Sequence, residues 1–450
     1  MNDRIMNDRI PRPDQPSQPE HPPKRITAAS ALLFALLLAS LLTSCSSDTT
    51  EESTPPNTAT ATPATPTPGP TEDAPTDPQV RGIFEDRIVF GQSAAFSGPA
   101  QELGINMRLG IEAAFAEANR AGGIHGRMLE LTTRDDSYEP EAAITNTRNL
   151  IEQEEVFSLI GAVGTPTSRS ATPLAADAGI PYVAPFTGAG FLRDDSWENI
   201  VNLRASYAQE TEEMVERLTK DLGVTRIAVM FQDDSFGRAG FNGTLAALQR
   251  RNMELVATGT YTRNTTAIKS GLLDLQSGNP EAVIVVGAYQ PVAALISWAR
   301  HINFNPIFMT VSFVGSNALA QELTTRGEGV YVTQVVPFPT DESIPIVASY
   351  ISALTAIDPE ATPGFVSLEG YIAGRLAIAG LQACGRELTR NCFLESILSA
   401  GQFDLDGFNL DFGSQDNPTE DNQGSDVVFL TVLDAEGEYR SATSVQRSGS

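Results

Sequence analysis

Histidine, cysteine, tryptophan and positive charge are all scarce in this chain, and each shortage removes a class of function. Only 3 histidines occur in 450 residues. His125 lies in a glycine-rich turn and His301 follows a helical stretch, so both read as surface or cap residues rather than general bases. No nucleophile-elbow serine, Walker loop or His-Glu-x-x-His pattern is present. Neither histidine stands at ligand spacing from a cysteine, so no metal and no cofactor is expected, and catalysis is not. Lys and Arg number 30 against 56 Asp and Glu, for a formal net charge of -26. Without a basic patch the chain cannot release phosphate counterions, which argues against nucleic acid as a partner. Anionic lipid headgroups would be repelled as well. The longest apolar run, Ala28 to Leu42, falls short of the roughly 20 residues that span a bilayer.

That run has its own meaning. Lys24 and Arg25 precede it, and Leu42-Thr43-Ser44 lead into Cys45. A basic stub, an apolar stretch and small residues make a secretory signal. A cysteine at the cut makes it resemble a bacterial lipoprotein signal, in which the thiol is acylated and becomes the new N-terminus. Residues 1–44 are therefore expected to be a signal peptide and Cys45 a lipidation site, placing the rest outside the cytoplasm. Residues 45–80 are Thr/Pro-rich and lack aromatics, so they cannot bury enough apolar surface to order themselves. They read as a tether that could reach roughly 100 Å in extended geometry. The remaining cysteines, Cys384 and Cys392, read as a disulfide in an oxidising compartment, with two reduced core cysteines as the alternative.

Beyond Arg87 strand and helix patterns alternate. Ile88 to Gly91 and Leu129 to Thr133 read as strands around a helix with Met107, Ile111, Ala114 and Phe115 on one face. Phe157 to Val163 and Pro181 to Ala184 follow as strands. The beat resumes with a helix from Glu210 to Leu222 and strands at Arg226 to Phe231, Glu254 to Thr260 and Ala282 to Val286. This predicts an α/β fold of two doubly wound parallel-sheet lobes with a ligand cleft between them. Ligands in such sheets sit beyond the carboxyl ends of strands. The paired acids Asp135-Asp136 and Asp233-Asp234 follow strands and precede helices, where carboxylates cap amides; acid/base work is the alternative.

Three loops after strands could hold a ligand. One carries Ser97. The second, Gly161 to Ser168, offers the hydroxyls of Thr165 and Thr167 at a helix start, a socket suited to a carboxylate or to ordinary capping. Thr165 is the expected cap. The third, Pro185 to Gly190, offers Phe186 as an apolar wall and glycines for close backbone approach.

These loops carry a resemblance. From about Arg87 to Ser441 the chain resembles the Leu/Ile/Val-binding family of ABC-transporter solute-binding proteins, with the type I periplasmic binding fold. Phe96-Ser97-Gly98-Pro99, Asn119 to Arg127, Asp135-Asp136 with Pro140, Ala178 to Pro181, Gln232 to Gly237 and Gly329-Val330 carry it. The resemblance implies a receptor whose lobes close over a small amino acid, amide or carboxylate. Its partners would be ABC permease subunits and a membrane reached through the lipid anchor. The chain would act as a monomer. A sensing domain of a signalling system using the same fold is the alternative. The resemblance places Leu103, Thr165, Phe186, Thr187, Gly188, Phe236 and Tyr289 at the ligand, with Tyr207 just past a lobe crossing. It also implies an acid for the ligand's ammonium in the loop where Arg263 stands, so the ligand would lack a free amine or carry a second acid group that Arg263 clamps, or Arg263 would face solvent while Glu369, Asp234 or another acid serves instead. Lobe one is expected at 86–203 and 334–405, and lobe two at 204–333 and 406–441. Crossings are expected near Asn202 to Ala205, Val330 to Thr333 and Asp404 to Phe412.

Overall fold

A computed structural model of the protein describes residues 77–194, 196–413 and 422–447. Cys45, the apolar run before it and the tether up to residue 76 lie outside the described residues. Among those described, no helix is long and apolar enough to cross a membrane.

The first lobe alternates strand and helix. In order these are β1 (Arg87–Ala94), α1 (Gln101–Arg120), β2 (Met128–Asp135), α2 (Pro140–Glu152), β3 (Ser158–Ile160), α3 (Thr165–Asp177), β4 (Tyr182–Val183) and β5 (Ile200–Val201). The five strands form one sheet in the order β2-β1-β3-β4-β5, with every neighbouring pair parallel. Helices must therefore cover both faces, and the short strands are buried on both. Phe90 stacks with Phe115 and Phe157, at ring centroids 5.1 and 5.9 Å away.

The second lobe runs α4 (Tyr207–Leu222), β6 (Ile227–Gln232), α5 (Ser235–Gln249), β7 (Leu255–Tyr261), α6 (Lys269–Ser277), β8 (Ala282–Val286), α7 (Tyr289–His301), β9 (Ile307–Thr310), α8 (Ser316–Leu323) and β10 (Tyr331–Gln334). Ser206 and Gln209 cap α4 reciprocally, and Gly223 ends it in the left-handed region. The run Ala-Val-Ile-Val-Val of β8 is wholly buried, as a central parallel strand requires.

The chain then returns through α9 (Pro345–Ile357), α10 (Phe365–Cys384) and α11 (Arg390–Leu398). Helix α10 packs along α1 of the first lobe. Cys384 and Cys392 form a disulfide between α10 and α11, with Cα atoms 5.9 Å apart. A loop this short contributes on the order of 2–3 kcal/mol. β11 (Gln402–Leu405) and β12 (Phe408–Asp411) pair as a hairpin beside α10. The segment near 404–412 therefore folds back instead of crossing. Asp406-Gly407 supplies the two positive-φ residues that a tight hairpin turn needs. The last strands, β13 (Phe429–Leu433) and β14 (Tyr439–Ala442), join the second sheet antiparallel to β10, giving the order β14-β13-β10-β9-β8-β6-β7. This antiparallel edge is a departure from the all-parallel expectation.

Two passages between the lobes run side by side. The Asn202 amide nitrogen donates to the Asn422 carbonyl at 2.7 Å, and Gly424 N–H donates to the Asn202 carbonyl at 2.8 Å. The other passage leaves β10 after Gln334 rather than inside 330–333, because those residues are paired in the sheet.

Candidate functional site

The paired acids shape one wall of the interlobe seam. After β2 the backbone of Ser137 and Tyr138 enters the left-handed region, at φ 49° and 62°. That is costly for a bulky residue. Asp135 accepts the Ser137 N–H at 2.8 Å and the Phe96 N–H at 2.8 Å, and Asp136 accepts the Tyr138 N–H at 2.9 Å. Burial works against the Asp135 charge, but bonds from Ser97, Phe96 and Ser137 outweigh it and hold this carboxyl below its ordinary value. Asp136, more deeply buried, is pushed up to about 7 despite bonds from Ser93 and Tyr138. The result is Tyr138 held at 1% exposure against the second lobe. Its hydroxyl accepts from Gln232 Nε2 at 3.3 Å. Gly164, at φ 103°, lies under this ring; a Cβ there would sit 2.2 Å from Tyr138.

Helix α3 starts at this point, with Gly164 rather than Thr165 as its cap residue. Thr165 is spared for another contact because the chain turns at glycine first. Its hydroxyl meets that of Thr187 at 2.6 Å, both fully buried. Thr187 Oγ1 also accepts the Ala189 N–H at 3.3 Å. Two hydroxyls that share one bond keep one O–H proton for a further acceptor. The Tyr207 hydroxyl lies beside Thr187 without completing a well-formed bond, and burial pushes that phenol up to about 12. Gly188 fits against Tyr207 by having no side chain: its carbonyl accepts the Tyr207 N–H at 2.7 Å.

Rings fill the seam above these hydroxyls. Phe313, between β9 and α8, is the hub: Tyr138, Phe186 and Phe236 stand 5.9, 5.4 and 4.5 Å from it. Tyr207 stacks on Phe236 at 5.3 Å. Leu103 abuts Gly315, and Tyr289 packs beside the same glycine with its hydroxyl at the Glu102 backbone.

Beside Phe186 lies a buried charge cluster. The Arg204 guanidinium carbon stands 4.9 Å from the Phe186 ring centroid. Arg204 pairs with Glu210 of α4 at 3.3 Å and with Glu369 of α10 at 3.5 Å, so it links the lobes. Its Nη2 also donates to the Ser312 hydroxyl. Burial opposes the Arg204 charge, but Glu369 and Glu210 outweigh it and raise its pKa. Glu210 is saturated by the Ser312 N–H at 2.8 Å, the Ser312 hydroxyl at 3.0 Å and Thr333 at 2.6 Å, yet burial still raises it. Burial pushes Glu369 up to about 7, with Arg204 opposing and Glu210 reinforcing the rise.

Three sequence candidates are engaged elsewhere. Ser97 bonds Asp135 at 2.5 Å and Ser137 at 2.7 Å, stabilising its own loop. Thr167 donates back to the carbonyls of its own helix start, Val163 and Gly164. Arg263 neither faces solvent freely nor points a vacant fork at the seam. Its terminal nitrogens pair with Glu139 of the first lobe at 2.7 Å and Asp234 of the second at 3.1 Å. Asn264 adds bonds to the Ser137 carbonyl and Glu139. Asp234 also caps α5, as a carboxylate after a strand should. Sequence reasoning missed Tyr138, Arg204, Glu210 and Phe313 as seam residues. The signal available was an arginine at a lobe crossing; Phe313 sits in an apolar run like many core residues.

The periplasmic binding protein family model matches residues 87–438. The chain belongs to that family. It has the type I periplasmic binding fold of that family. A Leu/Ile/Val-binding protein homolog 7 of Brucella abortus is 25% identical over 307 residues, covering 65% of this chain and 76% of that protein. The crystal structure of a possible leucine/isoleucine/valine-binding protein from Rhodopirellula baltica is 40% identical, with TM-score 0.75, and covers 80% of this chain and 96% of that one. A fatty acid ABC transporter substrate-binding protein from Thermomonospora curvata shares the fold at 17% identity, with TM-score 0.72, covering 82% and 95%. The family's members are extracytoplasmic solute binders.

Proposed function

We propose that this periplasmic binding protein is the lipid-anchored solute-binding component of an ABC importer, and that its lobes close over a small amino-acid-like, amide or carboxylate solute. The observation that carries this reading is the seam itself. Rings from both lobes meet there at no more than 1% exposure, over a hydroxyl pair that retains a donor. Opening the lobes separates Tyr138 and Phe186 from Phe313 and uncovers a cleft beyond the carboxyl ends of the strands. Cys45 supplies the anchor, and the permease receives the closed form. The mechanism is binding and release: Thr165 and Thr187 orient a polar head, the rings bury an apolar body, and Arg263 with Glu139 fastens the rim.

Small-angle scattering with and without bound solute tests closure. A decrease in radius of gyration on binding is expected, and an unchanged radius with tight binding would remove lobe closure. Fractionation of cells expressing Cys45→Ser tests the anchor. The substituted chain should leave the membrane fraction, and retention there would exclude lipidation as the tether.

A further inference from the structure

The polar groups left over around Arg204 and the threonine pair can donate. Arg204 Nε and Nη1 are buried without a hydrogen-bond acceptor, Nη1 having only the 3.5 Å ion pair to Glu369. The Thr165–Thr187 pair keeps one O–H proton, and the Tyr207 hydroxyl completes no bond in good geometry. The Arg204 nitrogens can only donate, and each of these hydroxyls has a proton to give. Of the nearby acceptors, Glu210 is already saturated, and Glu369 is engaged by the Arg204 ion pair at 3.5 Å. A buried donor without an acceptor is destabilising, and more so when it is charged. A ligand head that only accepts, and carries negative charge, relieves that cost at Arg204 and at the hydroxyls together. An ammonium would leave the Arg204 donors unrelieved and would have to compete with Arg204 for Glu369, the carboxylate that Arg204 already pairs at 3.5 Å.

Beside these donors the seam is aromatic. Phe186 and Tyr138 of the first lobe face Phe313 of the second, with Phe236 and Tyr207 behind it. These are the faces that part when the lobes open. Aromatic rings prefer flat partners in offset or edge contact, and they offer no acceptor for an amine beyond their own faces. Arg204, stacked by Phe186, stands at the edge of this slot, positioned for the carboxylate of a ring lying in it.

We infer that the solute is a flat monocarboxylate without an α-amino group, an aromatic or conjugated acid, whose carboxylate is held by Arg204 and the threonine hydroxyls while its body lies between Phe186 and Phe313. This inference rests on the solute-binding reading above and narrows its ligand class.

Isothermal titration calorimetry on the full-length protein tests it. The probes are benzoate, 4-hydroxybenzoate, phenylacetate and cinnamate, the corresponding amides, and L-leucine and L-phenylalanine. At least one acid is expected to bind 100-fold or more tightly than its own amide and than either amino acid. Arg204→Gln should lower affinity for that acid at least 100-fold. If that variant fails to fold by circular dichroism, the acid-to-amide ratio of the unsubstituted protein decides, together with Phe313→Leu, which should weaken the acid about tenfold. Preference for L-leucine or L-phenylalanine, or equal binding of acid and amide, overturns the inference and leaves the solute-binding reading intact. Failure of every acid overturns it too. Other amides, dicarboxylates and sugars are then titrated: a binder among them keeps the solute-binding reading, and none removes both.

Discussion

Arg204 and Arg263 do the same job in different surroundings. Each holds one guanidinium between two carboxylates, and each ties the first lobe to the second. Arg204 has no exposed side-chain surface, and its partners Glu210 and Glu369 are at 0% and 3%. Arg263 is 21% exposed, and Glu139 is 44% exposed. The first cluster trades full solvation for strong attraction and is fixed in place; removing one member strands the others. The second keeps much of its solvation, so it is worth little and yields to salt. One protein thus places a permanent knot at the lobe crossing and a releasable clasp at the rim.

The largest test breaks the buried knot. Arg204→Met should cost about 3–5 kcal/mol in urea unfolding, because Glu210 and Glu369 are left without a counterion. Adding Glu210→Gln and Glu369→Gln should recover most of that loss; a lone Arg204→Met with wild-type stability would show that the cluster is not a knot.

Next comes pH. Burial raises the folded-state pKa of Glu369 from 4.5 to about 7. Between those values the folded state binds more protons than the unfolded state, so stability falls as pH rises through the window. Glu369→Gln should flatten this slope by about 2–3 kcal/mol between pH 4.5 and pH 7. Asp136, raised from 3.8 to about 7, contributes with the same sign, and Asp136→Asn separates the two. Equal slopes in Glu369→Gln and the parent would place Glu369 in solvent instead.

A smaller effect is expected between the two clusters, at the hydroxyl pair. Thr165→Val should weaken solute binding by about 1–2 kcal/mol, read by calorimetry, with a melting temperature of the unliganded protein shifted by only a few degrees. Unchanged affinity would remove Thr165 from the site.

The smallest effect is at the clasp. Arg263→Gln should destabilise the closed form by about 0.5–1 kcal/mol at low salt. The difference from the parent should vanish in 1 M NaCl, where the screening length is about 3 Å. A salt-independent loss would make the rim cluster a second buried knot.

Much of the architecture was legible because its causes are local. Apolar residues at helical spacing put Met107, Ile111 and Phe115 on the buried face of α1, and the run of β8 could only be a covered strand. Asp234 before a helix start predicted a cap and is one. The site was legible only in part. Phe186 could be named from its loop, while Phe236 and Tyr207 followed only from the family resemblance. Thr167 and Ser97 could not be told from Thr165, because the direction of a hydroxyl depends on which carbonyl or carboxylate the fold brings near. The sequence leaves Arg263 between a ligand acid and solvent because its carboxylate partners come from elsewhere; Glu139 lies 124 positions away in the chain.

By itself the sequence determined the periodicities, caps and turns, hence two α/β lobes and an acidic surface. Those properties follow from residues that are neighbours in the chain. Tertiary structure decided which charges are buried and which rings meet. Arg204 finds Glu369 on a helix from the returning chain, and Phe313 finds Tyr138 across the seam. Burial and long-range pairing set the energy of a charge, and no local pattern contains either one.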